Sequence, residues 1–167
     1  MELQRPALWM KDAYLDFARD WEAGGEPITP MAARLNGHSY EEWLENTWAM
    51  ETKAPAGFVT ASTYFAFAED GRLAGAISLR HELNAFLLRF GGNIGYGVRP
   101  SMRRQGYASA MLTAVLPYAA GLGLTRVLLS CNKTNAASAR TIERCGGVLE
   151  NEAFEEGRVI RRYWITL

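Results

Sequence analysis

Residues 94–108 read IGYGVRPSMRRQGYA and join a strand to a helix through a turn that is rich in arginine. N–H groups at a helix start lack intrahelical partners, and the helix dipole adds positive potential there. Gly106 keeps side-chain atoms out of the turn, and the arginines add guanidinium groups suited to phosphate. These features predict an anion site, most simply for a phosphate, on residues 103–108. Its members are Arg103, Arg104, Gln105, Gly106, Tyr107 and Ala108.

The same stretch begins a βαβ unit. Residues 126–131 read RVLLSC, an apolar run typical of a buried strand, and they follow the predicted helix. Strands over 93–99 and 125–131 are therefore expected in one sheet with a right-handed connection.

The rest of the chain completes one predicted domain, 1–167. Hydrophobic spacing, turn residues and capping residues define its other elements. They are helices over 8–23, 39–52 and about 135–145, a hairpin over 58–81, and a final antiparallel strand pair. The predicted class is α/β, with a mixed, mostly antiparallel sheet, a parallel strand pair at its centre and flanking helices.

Charge is balanced overall but unevenly distributed. The net charge is +0, which argues against nucleic-acid or membrane partners. Residues 1–82 carry 13 acidic and 7 basic residues, whereas residues 83–142 carry 7 basic and no acidic ones. The cationic block surrounds the arginine-rich turn and favours a local anion site. No leader or apolar membrane segment is evident, so a cytoplasmic protein is expected.

Other motif classes fit poorly. Gly95-Tyr96-Gly97 is not followed by the third glycine of a dinucleotide fingerprint, and the turn lacks the Lys-Ser or Lys-Thr ending of a P-loop. The two cysteines, Cys131 and Cys145, lack metal-ligand spacing, so no metal site is predicted.

RRQGYA at 103–108 fits the R/Q-x-x-G-x-G/A signature and resembles the GCN5-related N-acetyltransferases, the GNAT superfamily. The resemblance extends to the order of elements over nearly the whole chain. LRHELN, GGNIGYGVRPS and GGVLENE further resemble a bacterial subgroup of uncharacterised predicted acetyltransferases. The resemblance implies acetyl-CoA as co-substrate, with its pyrophosphate on the N–H groups of residues 103–108. It also implies that the two central strands splay apart to admit the pantetheine arm.

The resemblance assigns further residues to the cofactor. Val98 and Arg99 match the strand backbone that pairs with the pantetheine arm, and Val98 is the expected N–H donor to the thioester carbonyl. Asn135 and Ser138 match the helix start on the far side of the cofactor. A helix cap is the alternative role for this pair.

The catalytic groups are less defined. Candidate general bases are His81 and Glu82 at a strand end, and Glu150 or Glu152 on a later strand. Asn93 stands where many relatives carry a catalytic glutamate, and Ile142 stands where they carry an acidic tyrosine. Tyr96 and Cys131 lie where the two strands are expected to splay apart. They are candidate general acids in place of the absent tyrosine, and packing is their alternative role.

The implied reaction is acetyl transfer to a primary amine of a small molecule or peptide. At pH 7 about one lysine amine in 2,500 is neutral, against about one α-amino group in ten, so a lysine acceptor needs a base more. The acidic first half suggests a cationic acceptor. Two alternatives stay open: a catalytically silent module that binds or senses acyl-CoA, and a site for another nucleotide. An exposed sheet edge would also allow a homodimer.

Overall fold

The computed structural model describes residues 1–167 and confirms the predicted α/β class. Helices pack on two antiparallel sheets. The helices are α1 (Lys11–Ala23), α2 (Tyr40–Ala49), α3 (Tyr107–Gly121) and α4 (Ala136–Arg144). The strands are β1 (Leu3–Gln4), β2 (Ala61–Phe67), β3 (Leu73–Arg80), β4 (Ile94–Val98), β5 (Arg126–Asn132), β6 (Val148–Glu155) and β7 (Arg158–Thr166). Short 3₁₀ helices cover Leu8–Met10, Met31–Ala33 and Pro100–Met102, and a π-helical turn covers Leu87–Gly91.

The two central strands belong to different sheets, in the orders β1-β2-β3-β4 and β5-β7-β6. Asn93 holds them together at one end. Its N–H donates to Leu128 O at 2.6 Å, and its Oδ1 accepts from Leu128 N at 2.9 Å. No ladder continues from there, which corrects the expectation that 93–99 and 125–131 share one sheet. The gap between β4 and β5 runs from Asn93 toward the end of β4.

The helices cover opposite faces of the β1-β2-β3-β4 sheet. Met111, Leu112 and Val115 of α3 lie in one fully buried core. Tyr14 and Phe17 of α1 and Trp43 of α2 form the second core with Phe65 of β2. Trp43 and Phe65 stack with ring centroids 5.7 Å apart. Thus α3, which begins at the arginine-rich turn, packs on one face of this sheet, and α1 and α2 pack on the other.

Local sequence explains where α2 begins. Ser39 Oγ accepts from Glu42 N at 3.2 Å, and Glu42 Oε2 accepts from Ser39 N at 2.8 Å, which completes the capping box predicted for α2. Trp43 is 5% exposed and belongs to the core, whereas Trp9 and Trp48 are 71% and 43% exposed.

Candidate active site

Unpaired backbone N–H groups line the arginine turn, defined here as residues 103–108. No N–H of residues 104–109 donates to a protein acceptor, and the first bond of α3 runs from Ala110 N to Gly106 O at 3.0 Å. Arg103 N donates to Pro100 O at 3.3 Å, so the free set begins one residue later than the sequence predicted. Six free donors at the start of a 15-residue helix form an anion receptor.

Backbone geometry keeps the turn open. Arg104 has φ 65° and Gly106 has φ 89°, both in the left-handed region. A Cβ built on Gly106 would meet no atom within 4 Å, so the space above it is free for a ligand. Arg104, Gln105 and Gly106 are exposed, and Tyr107 and Ala108 are half-buried.

Arg103 turns away from this space. Its Nη1 and Nη2 donate to Oε1 and Oε2 of Glu26 at 2.9 and 2.7 Å, and its guanidinium carbon lies 5.0 Å from the centre of the Trp21 ring. Hydrogen bonding to this guanidinium holds the pKa of Glu26 below its usual value. Arg104 forms no ion pair and is the arginine of the turn that stays free for an anion.

Arg99 is a structural residue, which corrects its predicted place in the cofactor site. Its N–H donates to Ala74 O at 2.9 Å and its C=O accepts from Met102 N at 3.0 Å. The side chain is 5% exposed, and its Nη1 and Nε donate to Asp16 and Asp20 at 2.8 and 2.9 Å. A buried guanidinium requires such partners, so none of its polar groups is left for a ligand.

The neighbouring Val98 has its backbone directed toward the gap. Alternate residues of an antiparallel strand direct their N–H and C=O groups to opposite edges. Because Arg99 N bonds to β3, the Val98 N–H points to the β5 side. Its carbonyl, on that same edge, accepts from Arg103 Nε at 3.2 Å instead of from a strand. The Val98 N–H thus faces the gap between β4 and β5.

Tyr96 reaches across the gap to α4. Its Oη lies 2.9 Å from Ser138 Oγ, and Asn135 Oδ1 accepts from Ser138 N at 3.1 Å as the helix cap. Burial raises the pKa of Tyr96 to about 12, so the phenol stays protonated at neutral pH. Burial also raises the pKa of the nearby Cys131 thiol, which a hydrogen bond with Ser138 partly offsets. Tyr96, Cys131, Asn135 and Ser138 therefore form one group of side chains.

His81 and Glu82 lie elsewhere. Tyr96 pairs with Ile77 in the β3–β4 register, and His81 is four residues further along, about 13 Å away at 3.3 Å per residue. The two imidazole nitrogens of His81 lie 2.8 Å from Ser62 Oγ and 3.1 Å from Thr60 Oγ1. Burial lowers the pKa of this imidazole. The structure thus separates the predicted bases from the predicted acid.

The other two candidate bases, Glu150 and Glu152, are held in ion pairs. Glu150 accepts from Arg162 at 2.7 Å, and Glu152 accepts from Lys133 and Arg161 at 3.0 and 3.2 Å, all on the exposed strand β6. Ile142, in the position of the family's tyrosine, is fully buried in the core.

The segment between α1 and α2 was not predicted to contact the site. A Cβ built on Gly97 would overlap the carbonyl oxygen of Thr29, and one on Gly95 would contact Pro30 at 3.4 Å. This segment therefore lies directly on the face of β4 that is opposite Tyr96. The alternating glycines of Gly95-Tyr96-Gly97 were the available signal, since such spacing marks one strand face open to close backbone approach.

Fold and site together define a class of acyl-CoA-dependent transferase, with an anion turn at a helix start and two strands that separate beside it. A family model described as an acetyltransferase (GNAT) domain matches residues 5–148. The chain belongs to the GNAT acetyltransferases and is an acetyl-CoA-dependent acyltransferase.

Solved structures agree on the fold. RimL, described as the ribosomal L7/L12 α-N-protein acetyltransferase in complex with CoA disulfide-bonded to a cysteine, is 20% identical. The match covers 99% of this chain and 93% of that one, with a TM-score of 0.69. An acetyltransferase from Salmonella typhimurium that modifies the N-terminal serine of L7/L12 is 19% identical, with 99% and 94% coverage and a TM-score of 0.67.

A point mutant of spermidine N-acetyltransferase SpeG from Vibrio cholerae is 18% identical, with 99% and 95% coverage and a TM-score of 0.64. A search of curated protein sequences gave no match. No helix has the length and apolar character to span a membrane.

Proposed function

We propose that this enzyme transfers the acetyl group of acetyl-CoA to a primary amine of a small molecule or peptide. One observation carries the proposal: the Tyr96 hydroxyl lies in the gap between β4 and β5, two residues from the free N–H of Val98. The pyrophosphate binds the free N–H groups of residues 104–109, and the pantetheine arm enters this gap. Both ends of the thioester then meet a hydrogen-bond donor.

The two donors have separate tasks. The Val98 N–H donates to the thioester carbonyl oxygen, which gains negative charge as the amine attacks. The Tyr96 phenol, held by Ser138 at 2.9 Å, donates to the sulfur as the carbon–sulfur bond breaks. Because a thiol has an ordinary pKa of about 8.5, the released CoA sulfur is mostly protonated at pH 7. A protonated phenol is thus a hydrogen-bond donor and a relay rather than a strong acid.

Proton balance explains how the site works without a nearby base. A neutral amine loses one proton when the amide forms, and the thiolate gains one, so no net acceptor is consumed. His81 lies about 13 Å from Tyr96 along the direction of β3 and Glu82 lies one residue further, and Glu150 and Glu152 are ion-paired. An acceptor with a substantial neutral fraction at pH 7 therefore fits best, such as an α-amino group.

Two of the three solved neighbours support an α-amino acceptor, and the third supports only a primary amine in general. Two of them are described as enzymes of a protein's N-terminal amino group, and one as an enzyme of spermidine. We also propose that Cys131, on β5 near Tyr96, lies next to the CoA sulfur. A cytoplasmic location, a single domain over 1–167 and a homodimer stay predictions.

Free-thiol release from acetyl-CoA, measured over a panel of amines, tests the proposal. We expect turnover with α-amino compounds, and we expect Tyr96→Phe to lower kcat by about 10²- to 10³-fold with little change in KM. Tyr118→Phe, on the exposed part of α3, is the matched control and should keep wild-type kinetics. Stabilisation by acetyl-CoA without turnover of any amine would instead support the binding-only alternative.

A further inference from the structure

The side of the gap away from α3 and α4 is the side left for an acceptor. The anion turn begins α3, and Tyr96 bonds to Ser138 of α4, so the proposed cofactor occupies the α3–α4 side. Gly95 and Gly97 alternate with Tyr96 along β4 and therefore face the opposite side. An amine that attacks the thioester carbon approaches from there.

A strap, defined here as residues 26–31, covers β4 on this acceptor side. A Cβ built on Gly97 would overlap the carbonyl oxygen of Thr29, and one on Gly95 would contact Pro30 at 3.4 Å. No space for a substrate remains between the strap and the strand. An amine can therefore reach the β4 side of the thioester only if the strap moves.

The β3–β4 connection covers β5 on the same side and is firmly held. Ser130 lies on the face of β5 opposite Leu129, which belongs to the core under α3. Arg80, Arg162 and Ser130, from β3, β7 and β5, each donate to backbone carbonyls of residues 88–92. Side chains from three strands thus fix this wall of the gap.

The strap has no comparable anchors to the sheet. No N–H of residues 27–30 donates a hydrogen bond, and Ile28 O accepts only from the nearby Arg34 Nε, at 2.6 Å. The firm attachment comes after the strap, where Tyr14 donates to Ala33 O at 2.6 Å. Segments with so few hydrogen bonds to their surroundings open locally at little cost. The strap is therefore the wall that can move.

One ion pair latches the strap over β4. Both Nη atoms of Arg103 donate to Glu26, at 2.9 and 2.7 Å, and these side chains are 40% and 47% exposed. An ion pair this exposed is weak and easily broken. Beside it, Trp21 Nε1 is buried without a partner, and the Trp21 ring lies 5.0 Å from the Arg103 guanidinium carbon. The closed position thus contains an unsatisfied buried donor, which lowers its stability.

We infer that the strap opens to admit the acceptor, and that Glu26 is a positioning residue that holds it closed through Arg103. The inference rests on the proposed function and adds control of access to that site. When the state that binds a substrate is only partly populated, the apparent affinity falls by that fraction. A stronger latch therefore raises KM for the amine.

Glu26→Gln tests the inference because it removes the charge that holds the latch. We expect KM for the amine to fall about 2- to 5-fold, the range for an exposed ion pair, while kcat and KM for acetyl-CoA stay unchanged. Glu22→Gln is the matched control. Glu22 is also exposed, lies in the last turn of α1 and forms no ion pair, so its loss should change none of the three values.

Salt supplies a second readout, because screening weakens an exposed ion pair. The difference in amine KM between wild type and Glu26→Gln should disappear as NaCl rises from about 50 mM to about 1 M. Equal amine KM values at low salt would overturn the inference, and so would a change confined to KM for acetyl-CoA, which would assign Glu26 to the cofactor turn. No turnover of any amine, with acetyl-CoA binding intact, would overturn the proposed function and this inference with it.

Discussion

Glu26 and Arg103 form a two-pronged ion pair, with oxygen–nitrogen distances of 2.9 and 2.7 Å, that ties the segment after α1 to the arginine turn. Asp20, within α1, makes a more buried link. It accepts from Arg99 Nε at 2.9 Å and from Ser101 N and Oγ at 3.1 and 2.7 Å. Acidic residues of the first half thus neutralise arginines of the cationic block. These acidic residues position the cofactor turn. Because they are already paired with arginines, the sequence-based argument for a cationic acceptor is weaker.

The two links should differ in strength because they differ in burial. Asp20→Asn leaves a 5% exposed arginine side chain with a weaker partner, and we expect it to lower the free energy of unfolding by about 2 kcal/mol. Glu26→Gln removes a pair whose side chains are 40% and 47% exposed, and we expect a loss below about 1 kcal/mol. Urea denaturation at pH 7 measures both values. Equal losses would show that burial does not control this contact.

Acid should weaken the Asp20 link. Partial burial alone would raise the pKa of this carboxyl, but hydrogen bonds from Arg99 and Ser101 hold it below its usual value. A lowered folded-state pKa stabilises the fold above the ordinary pKa of about 3.9, and that contribution is lost as pH falls through the lowered value. The stability difference between wild type and Asp20→Asn should therefore shrink below about pH 4. A difference that stays constant down to pH 2.5 would contradict the assignment.

Cofactor binding should depend on Gly106 more than on an equivalent glycine. Glutamate at position 106 adds strain at φ 89° and places a carboxylate over the free N–H groups, so Gly106→Glu should abolish the thermal stabilisation by acetyl-CoA. Gly123, just beyond the other end of α3, has φ 84° and equally open surroundings. Gly123→Glu thus carries the same strain and should keep the acetyl-CoA shift. Loss of the shift in both variants would indicate a general folding defect.

Helix starts and caps were predicted well from the sequence. The capping box of α2, the start of α3 at Tyr107 and the cap at Asn135 depend on residues within four positions of one another, and all were placed from the sequence. The α/β class followed from the same local signals. Family resemblance then supplied acetyl-CoA.

Contacts distant in sequence were not predicted. Arg99 and Arg103 meet carboxylates 77 to 83 residues away, and no local pattern separates an arginine that binds a carboxylate from one that binds phosphate. His81 and Tyr96 are neighbours in the β-region of the sequence, yet strand register places them about 13 Å apart. The resemblance implied that β4 and β5 splay apart, but their division between two sheets was not predicted; the two strands meet only at the hydrogen bonds between Asn93 and Leu128.

Cys131 should report directly on the path of the pantetheine arm. If the CoA sulfur lies beside Tyr96, the Cys131 thiolate can attack CoA disulfide, forming a protein–CoA disulfide and releasing one CoA thiolate. Burial raises the pKa of this thiol, so the adduct should form slowly at pH 7 and faster as pH rises toward 9. Mass spectrometry should find one CoA per chain in wild type and in Cys145→Ser, and none in Cys131→Ser. An adduct confined to Cys145, the more accessible thiol near Ser109 on α3, would place the CoA sulfur on the α3 side of Tyr96 instead of beside β5 and contradict the proposed route.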